Sequence, residues 1–407
     1  MKILKANSII LGGRDCKILR GEAIAFDNEI LAVGDASELK KCYANAEFTD
    51  LGDDIIAPAF INTHAHLEFS ANSSSLIYGD FVKWLGSIVE KGGELAAKCT
   101  PKIMADALNS MLKSGVGAVG AVSSFGKDLE ILAASPARVV FFNEILGSNP
   151  AVCEQNFAAF EARFKRSAEL KSERFTPAVS PHSPYSLHPV LAAKALNFAR
   201  ERDLLVSTHF LESSHELEWL TSGTGAFSAH LKRFTPTPAP MYSPSAYLAM
   251  FTGLRTLFTH CVWADFTKLN FDPELHGITH CAVSNRLLGA RSLDLGAVKS
   301  ANLSLNIGTD GLSSNISLNF LDEMRAALMT HPNRELNDLA REIFIAATAG
   351  GARALNLNSG ELAVGKFADI AVFKGLSDVS QSELITQLIL QTKECERLYV
   401  GGELVKF

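Results

Sequence analysis

Along the middle of the chain, short apolar runs that end in polar residues alternate with segments whose apolar positions recur three and four residues apart. The first kind reads as buried strands and the second as amphipathic helices, a pattern of repeated βα units around a parallel sheet. Eight strands are predicted: IIAPAFINTHAH, GVGAVGAVSSF, ARVVFFNEILG, RFTPAVSPHS, LLVSTHF, RTLFTHCVW, GITHCAVSN and LSLNIGTDG. PVLAAKALNFARERD and NFLDEMRAALM carry the helical period, the latter following a candidate cap at Asn315. The two ends differ, reading as short strands and turns with one helix in the later segment. The fold class predicted is α/β: a (β/α)8 TIM-type barrel over residues 57–358, with a small β-sandwich domain built from both termini, 1–56 and 359–407. The proline-rich run from Phe234 to Ser245 follows the fifth strand and is predicted as a loop over the barrel mouth.

Composition removes several classes of function. The chain has 407 residues, 47% hydrophobic and 20% charged, which excludes a disordered or collagen-like polymer. Lys and Arg total 38 against 44 Asp and Glu, a net charge of -6 with no basic run, so nucleic acid is not an expected partner. The 7 cysteines are odd in number, scattered and without a Cys-x-x-Cys pair, which argues for a reducing compartment and against a disulfide framework or a thiolate zinc site. The apolar start MKILKANSIIL is cut short by Gly12, Gly13, Arg14 and Asp15 and reads as a strand. No apolar stretch reaches the roughly 18 to 20 residues of a spanning helix, so a soluble, cytoplasmic protein without membrane association is expected.

In such a barrel the chemistry gathers at the C-terminal ends of the strands. Ionisable and polar residues collect there: His64 and His66, Ser123 and Ser124, Glu144, His182, His209, His260, His280 with Asn285, and Asp310. Residues two apart on a strand face the same side, so His64 and His66 can reach one metal ion, although a lone His-x-His is more often a structural pair. Glu212 falls on the turn after His209, before Ser213-Ser214-His215-Glu216, which reads as a capping box with Glu216 and Glu218 on the helix surface. A carboxylate on that turn can transfer protons beside a metal, or merely cap the helix. Asp310 suits a hard divalent cation. A single buried His260 reads as a core group, but three imidazoles and a carboxylate on one rim make little sense without a metal.

The HxH after PAFIN, together with THFLE, THCVW, THCAVSNRLLG and GTDGLSSN, resembles the amidohydrolase superfamily, and in particular its mononuclear deaminases of adenine and related bases. The C-terminal GELAVGKFADIAVF resembles the strand pair that closes the small β domain of that superfamily. Within the group, AHLEFS, FVKWLGSIV, FFNEILGSNP, SPHSPYSLHP and SNRLLG are most similar to aminodeoxyfutalosine deaminases of menaquinone biosynthesis, relatives of methylthioadenosine and adenosylhomocysteine deaminases. The resemblance implies His64, His66, His209 and Asp310 as metal ligands, Glu212 as proton shuttle and His260 as the group that orients the attacking water. Binuclear members use a bridging lysine or Glu on a middle strand; RFTPAVSPHSPYS offers no lysine, so one metal is expected. Zinc is the default for a His-rich site, with Fe2+ or Mn2+ also suited to imidazole and carboxylate.

The activity implied is hydrolytic deamination of a 6-aminopurine nucleoside, foremost 6-amino-6-deoxyfutalosine, and then methylthioadenosine, adenosylhomocysteine or adenosine, with release of ammonia. Water activated at the metal attacks C6, His260 and Asp310 position and deprotonate it, and Glu212 protonates the ring nitrogen. Glu68, Trp84, His182, Tyr185, Ser186 and Asn285 are the candidate substrate contacts, each in a motif after a barrel strand and each able to hydrogen-bond or stack. Trp84 reads equally as helix packing, Asn285 as a turn cap, and Glu144 as either a ribose ligand or a supporting acceptor. The rival readings are a hydrolase of another heteroaromatic ring, such as guanine or a triazine, and a barrel that binds without catalysing. A homodimer is an expectation of fold-level analogy alone.

Overall fold

The structure, a computed structural model of the chain, describes residues 1–72, 74–234, 237–289 and 291–407. Eight apolar segments form parallel barrel strands in chain order: Phe60–His66, Val116–Ser123, Arg138–Ile145, Phe175–Pro181, Val206–Phe210, Thr256–His260, His276–His280 and Ser304–Ile307. They are buried along nearly their whole length because helices cover them outside and side chains fill them inside. Ile61, Ala118, Val122, Val140, Phe142, Ala178 and Leu257 pack together with Leu355 within the barrel.

The eighth strand closes the barrel by resuming as Asp310–Gly311 beside the first, with Asp310 opposite Ala65 and Gly311 opposite His66. Closure needs Gly308 at the break, since a Cβ there would stand 2.6 Å from the His64 Cβ. The first strand shifts register against the second between Asn62 and Ala65. Strict alternation from the inward Ile61 would turn His64 outward; the shift resets it, so that His64 and His66 face the mouth together.

The first predicted strand is in fact two. Ile55–Pro58 belongs to a six-stranded sheet with Glu403–Leu404, Arg397–Val400, Ile370–Phe373, Ser8–Ile10 and Ile18–Arg20. The backbone changes partners at Ala59, whose N–H donates to Asp369 O, whereas that of Phe60 donates to Gly115 O in the barrel. Lys2–Lys5, Ala23–Phe26, Ile30–Gly34 and Glu47–Asp50 form a four-stranded sheet. Leu4, Ile24, Phe26 and Ile30 of this sheet pack on Ile9, Ile56, Ile370, Val372 and Tyr399 of the other, giving the sandwich its core.

The helix at Leu384–Gln391 departs from the expectation for the C-terminal segment. Leu384, Leu388 and Ile389 join the large barrel core, and the helix packs on Phe320–Met329 and Leu336–Ile345. Asn319, not Asn315, caps Phe320–Met329, accepting from Leu321 N–H at 3.0 Å. Part of the expected Phe234–Ser245 loop, residues 235 and 236, lies outside the described residues; of the rest, Pro244 already begins a short helix, Pro244–Ala249. None of the described helices is long and apolar enough to cross a membrane, and the cysteines are all free.

Candidate metal centre and active site

Four strand ends bring His64, His66, His209 and Asp310 together, with ligand atoms all within 4.8 Å of one another. The Nε2 atoms of His64 and His66 are 3.1 Å apart, and Asp310 Oδ1 lies 3.6 and 3.5 Å from them. The hydrogen bonds behind these rings decide their proton positions. His209 Nδ1 is 2.9 Å from the carbonyl oxygen of His182, which can only accept, so the proton is on Nδ1 and Nε2 keeps its lone pair. His64 Nδ1 is 3.3 Å from Thr259 Oγ1, leaving Nε2 on the inner side. Burial and the neighbouring His64 push the His66 imidazole down to about 4, and burial drives His209 well below its ordinary value, so both are neutral at pH 7. Neutral imidazoles crowded around a carboxylate, with the lone pair of His209 Nε2 free, fit a divalent cation.

Asp310 is fixed in place by its backbone and by two hydroxyls. Its φ is 59°, a left-handed conformation, and its Oδ2 accepts from Ser284 Oγ at 2.9 Å and Ser314 Oγ at 2.7 Å. Burial alone would raise its pKa, but the facing imidazoles of His64, His66 and His260 outweigh it and hold the carboxyl well below the usual range. His260 lies against its other side, fully buried, with Nε2 3.5 Å from Glu212 Oε2 and without a hydrogen-bond partner among the described residues. Glu212, His260 and Asp310 form a second close group. Burial, reinforced by Asp310 and Glu216, raises the Glu212 carboxyl well above its ordinary value, which suits a group that must donate a proton at neutral pH.

The turn that carries Glu212 is built differently from the capping box expected. Ser213 Oγ does accept from Glu216 N–H at 3.1 Å and caps Ser214–Ser222. Glu216, however, is buried, not on the surface. Its carboxyl turns inward to accept the N–H groups of Leu211 at 3.0 Å and Glu212 at 2.9 Å, bracing Leu211 at its φ of 48°. A helix-surface reading misses it because period alone places position 216 correctly on the helix but cannot say what the preceding turn needs.

A cavity of about 250 Å³ opens beside the cluster. Trp84, His182 and Tyr185, three of the expected substrate residues, stand on its wall with Glu212, His260 and Asp310. Trp84 is oriented by its indole N–H, which donates to Ser313 O at 2.8 Å. Ser186 stands behind the wall, its Oγ 2.6 Å from His182 Nδ1. Glu68 does not reach the cavity: its carboxylate accepts from the N–H groups of Ser124, Phe125 and Lys127 at 2.7, 2.9 and 2.8 Å and is taken up by that turn. Asn285 is likewise off the wall, its Oδ1 accepting from His260 Nδ1 at 2.8 Å. Glu144 is on the wall, accepts from Ser124 Oγ, and leaves Oε1 buried without a partner among the described residues. Sequence reasoning missed the apolar rim of Phe69, Phe125 and Leu146; the exposure of Phe125 and Leu146 shows only in three dimensions.

Comparison with known proteins agrees with this geometry. The chain is 40% identical to the aminodeoxyfutalosine deaminase of a Nitratiruptor species, over 99% of each chain. It is 37% identical to an adenosine deaminase of Helicobacter pylori, again over 99% of each. Its structure superimposes on the crystal structure of Helicobacter pylori aminofutalosine deaminase in complex with methylthio-coformycin with a TM-score of 0.95, at 37% identity and complete coverage of both, 100% each. The sequence pattern described as the amidohydrolase family matches residues 55–405, from the last strand before the barrel to the last strand of the sandwich, and so takes in His64, His66, His209 and Asp310. By its barrel, its HxH at the end of the first strand and this match, the chain belongs to the amidohydrolase family.

Proposed function

We propose that the protein is a metal-dependent hydrolase that deaminates 6-aminopurine nucleosides, with 6-amino-6-deoxyfutalosine as its principal substrate and methylthioadenosine, adenosylhomocysteine and adenosine as lesser ones. One observation carries the reading: inward-facing imidazole nitrogens, the Asp310 carboxylate and the raised Glu212 carboxyl converge on one wall of a cavity. The likeness to two deaminases over the full length supports the substrate class. Seven free cysteines and the absence of a membrane-crossing helix among the described residues support a cytoplasmic place of work.

His64, His66, His209 and Asp310 would hold one divalent ion, zinc by the predominance of imidazole. Such an ion supplies a Lewis acid that brings the pKa of water toward about 7. A second ion is disfavoured, because Glu144 and His182 would have to share His209, whose Nδ1 is committed to the His182 carbonyl. The residues do the rest. His260 Nε2 accepts the proton of the attacking water while Asp310 holds it in place. Glu212 gives its proton to the ring nitrogen beside C6, drawing electron density away from that carbon. The water oxygen bonds to C6, its remaining proton passes to the Glu212 carboxylate, and the C6–N bond breaks as the amine takes a proton from His260 or from the reprotonated Glu212, leaving as ammonia and a 6-oxopurine. Trp84 and Tyr185 flank the base, and the free Oε1 of Glu144 with His182 takes the ribose hydroxyls.

The test compares zinc-loaded and chelated protein on aminodeoxyfutalosine, methylthioadenosine, adenosylhomocysteine, adenosine, adenine and guanine, following ultraviolet change and ammonia. Metal-dependent turnover, highest in kcat/KM for aminodeoxyfutalosine, is expected. His64→Ala and Asp310→Ala should lose metal by elemental analysis. Turnover of free bases but not nucleosides would move the substrate class to heteroaromatic bases, and full metal content in both variants would overturn the ligand set.

A further inference from the structure

Asn285 stands off the cavity wall, yet it lies at the centre of a line of contacts that starts at His260. His260 Nδ1 is 2.8 Å from Asn285 Oδ1, Asn285 Nδ2 is 3.4 Å from His280 Nδ1, and His280 Nε2 is 3.2 Å from His331 Nε2. His260, Asn285 and His280 are buried; His331 is only partly so, and with Arg291, Asp294 and Arg334 it lines a separate open cleft of about 310 Å³. None of the mechanism above uses His280 or His331.

An amide oxygen can only accept and an amide nitrogen can only donate, which assigns a proton to each ring in turn. His260 must donate from Nδ1, so Nε2 is bare. Asn285 Nδ2 must donate to His280 Nδ1, so the His280 proton sits on Nε2 and is donated to His331, whose own proton then sits on Nδ1. One other arrangement keeps all three contacts between neutral rings: the amide turned over, with every proton moved to the opposite nitrogen. It would put a proton on His260 Nε2, 3.5 Å from Glu212 Oε2, where the attacking water needs an acceptor.

We infer that Asn285, His280 and His331 form a tautomer-setting chain, in which His331 anchors His280, His280 orients the Asn285 amide, and Asn285 keeps the His260 proton on Nδ1 so that Nε2 stays open as the proton acceptor. All three are positioning residues, since none lines the cavity beside the His64, His66, His209 and Asp310 cluster. The catalytic consequence rests on the deaminase reading; the proton arrangement rests on the hydrogen bonds alone.

Imidazole ¹⁵N spectra of the zinc-loaded enzyme without substrate read the tautomers directly, with His280→Gln and His331→Gln assigning their signals. The expected result is His260 protonated at Nδ1 and His280 at Nε2. Asn285→Leu, which removes both amide contacts at similar size, should lower kcat about 100-fold. KM should stay within about threefold and zinc content at the wild-type value, because ground-state binding is untouched. Asn285→Asp restores the acceptor and should recover kcat to within about tenfold of wild type. His260 protonated at Nε2, a kcat for Asn285→Leu near wild type, or an Asn285→Asp no better than Asn285→Leu would each overturn the chain. Should Asn285→Leu fail to fold, the wild-type spectra and His280→Leu against His280→Asn, which keeps an acceptor for Asn285 Nδ2, decide it. The spectra need no turnover, so an inactive wild type would reject the deaminase reading and leave the chain to be judged separately.

Discussion

Two buried clusters of charge lie at opposite ends of this barrel, and they are finished differently. At the floor, Arg138, the first residue of the third barrel strand, pairs with Asp369 of the sandwich at 2.9 Å. The Asp369 carboxylate also accepts from Ser359 Oγ at 2.8 Å and Gly401 N–H at 2.8 Å, and the guanidinium lies 3.7 Å from the Phe367 ring centre. Both oxygens of the acid are satisfied, whereas Arg138 Nη1 and Nη2 have no hydrogen-bond partner among the described residues and the guanidinium is covered by the Phe367 ring instead. At the mouth, no described donor reaches the Glu212 carboxyl, His260 Nε2 and Glu144 Oε1 are buried without partners, and Leu211, His260, Cys261 and Asp310 all have positive φ. Both ends are buried, but at the floor every carboxylate oxygen has a donor, while at the mouth the carboxyls of Glu212 and Glu144 do not. The floor uses charge to fasten one domain to another, and the mouth holds its polar groups open for something that arrives from outside.

That contrast breaks most sharply on Glu212→Gln. This variant should keep its metal and lose turnover by about 10² to 10⁴, the range of a lost general acid and base, while its Tm stays level, because the buried carboxyl is already protonated and the amide matches it in size and charge. Kinetics, elemental analysis and calorimetry on one sample check all three, and a destabilised but active variant would put Glu212 in the same class as the floor. Asp369→Ala should do the reverse. Leaving Arg138 buried and unpaired costs about 3 to 5 kcal/mol in urea unfolding, with kcat/KM per folded molecule unchanged. A loss of kcat/KM there, at full folding, would mean that the floor reaches the site.

The smallest effect sharpens the same comparison through pH. Burial raises the Glu216 carboxyl from 4.5 to about 7 and that of Glu323, which accepts from Val283 N–H and Asn315 Nδ2, from 4.5 to about 8. Between these values the folded chain holds protons that the unfolded chain has released, so their contribution to stability is fully present below 4.5 and is lost as pH rises through 7 and 8. Each group adds a slope of at most about 1.4 kcal/mol per pH unit. Glu216→Gln should flatten the lower part of the slope in urea midpoints measured across that range, and an unchanged slope would show that Glu216 is ionised throughout.

Much of this protein is legible in its sequence. The βα alternation determined the barrel, because strands sheathed on both faces must be apolar along their length and can carry ionisable residues only where they emerge. The same rule put His64, His66, His209, His260 and Asp310 at strand ends, and a metal site needs no more than that to be suspected. Tertiary structure alone decided what each polar group faces. Glu68 and Asn285 sit in motifs as suggestive as that of Trp84, yet one is consumed by the N–H groups of a turn and the other by His260. Glu216 has the spacing of a surface residue and the burial of a core one. Local pattern records which way a side chain leaves its own element; whether a donor, a cavity or solvent waits there depends on a segment far away in the chain, and only the closed barrel brings the two together.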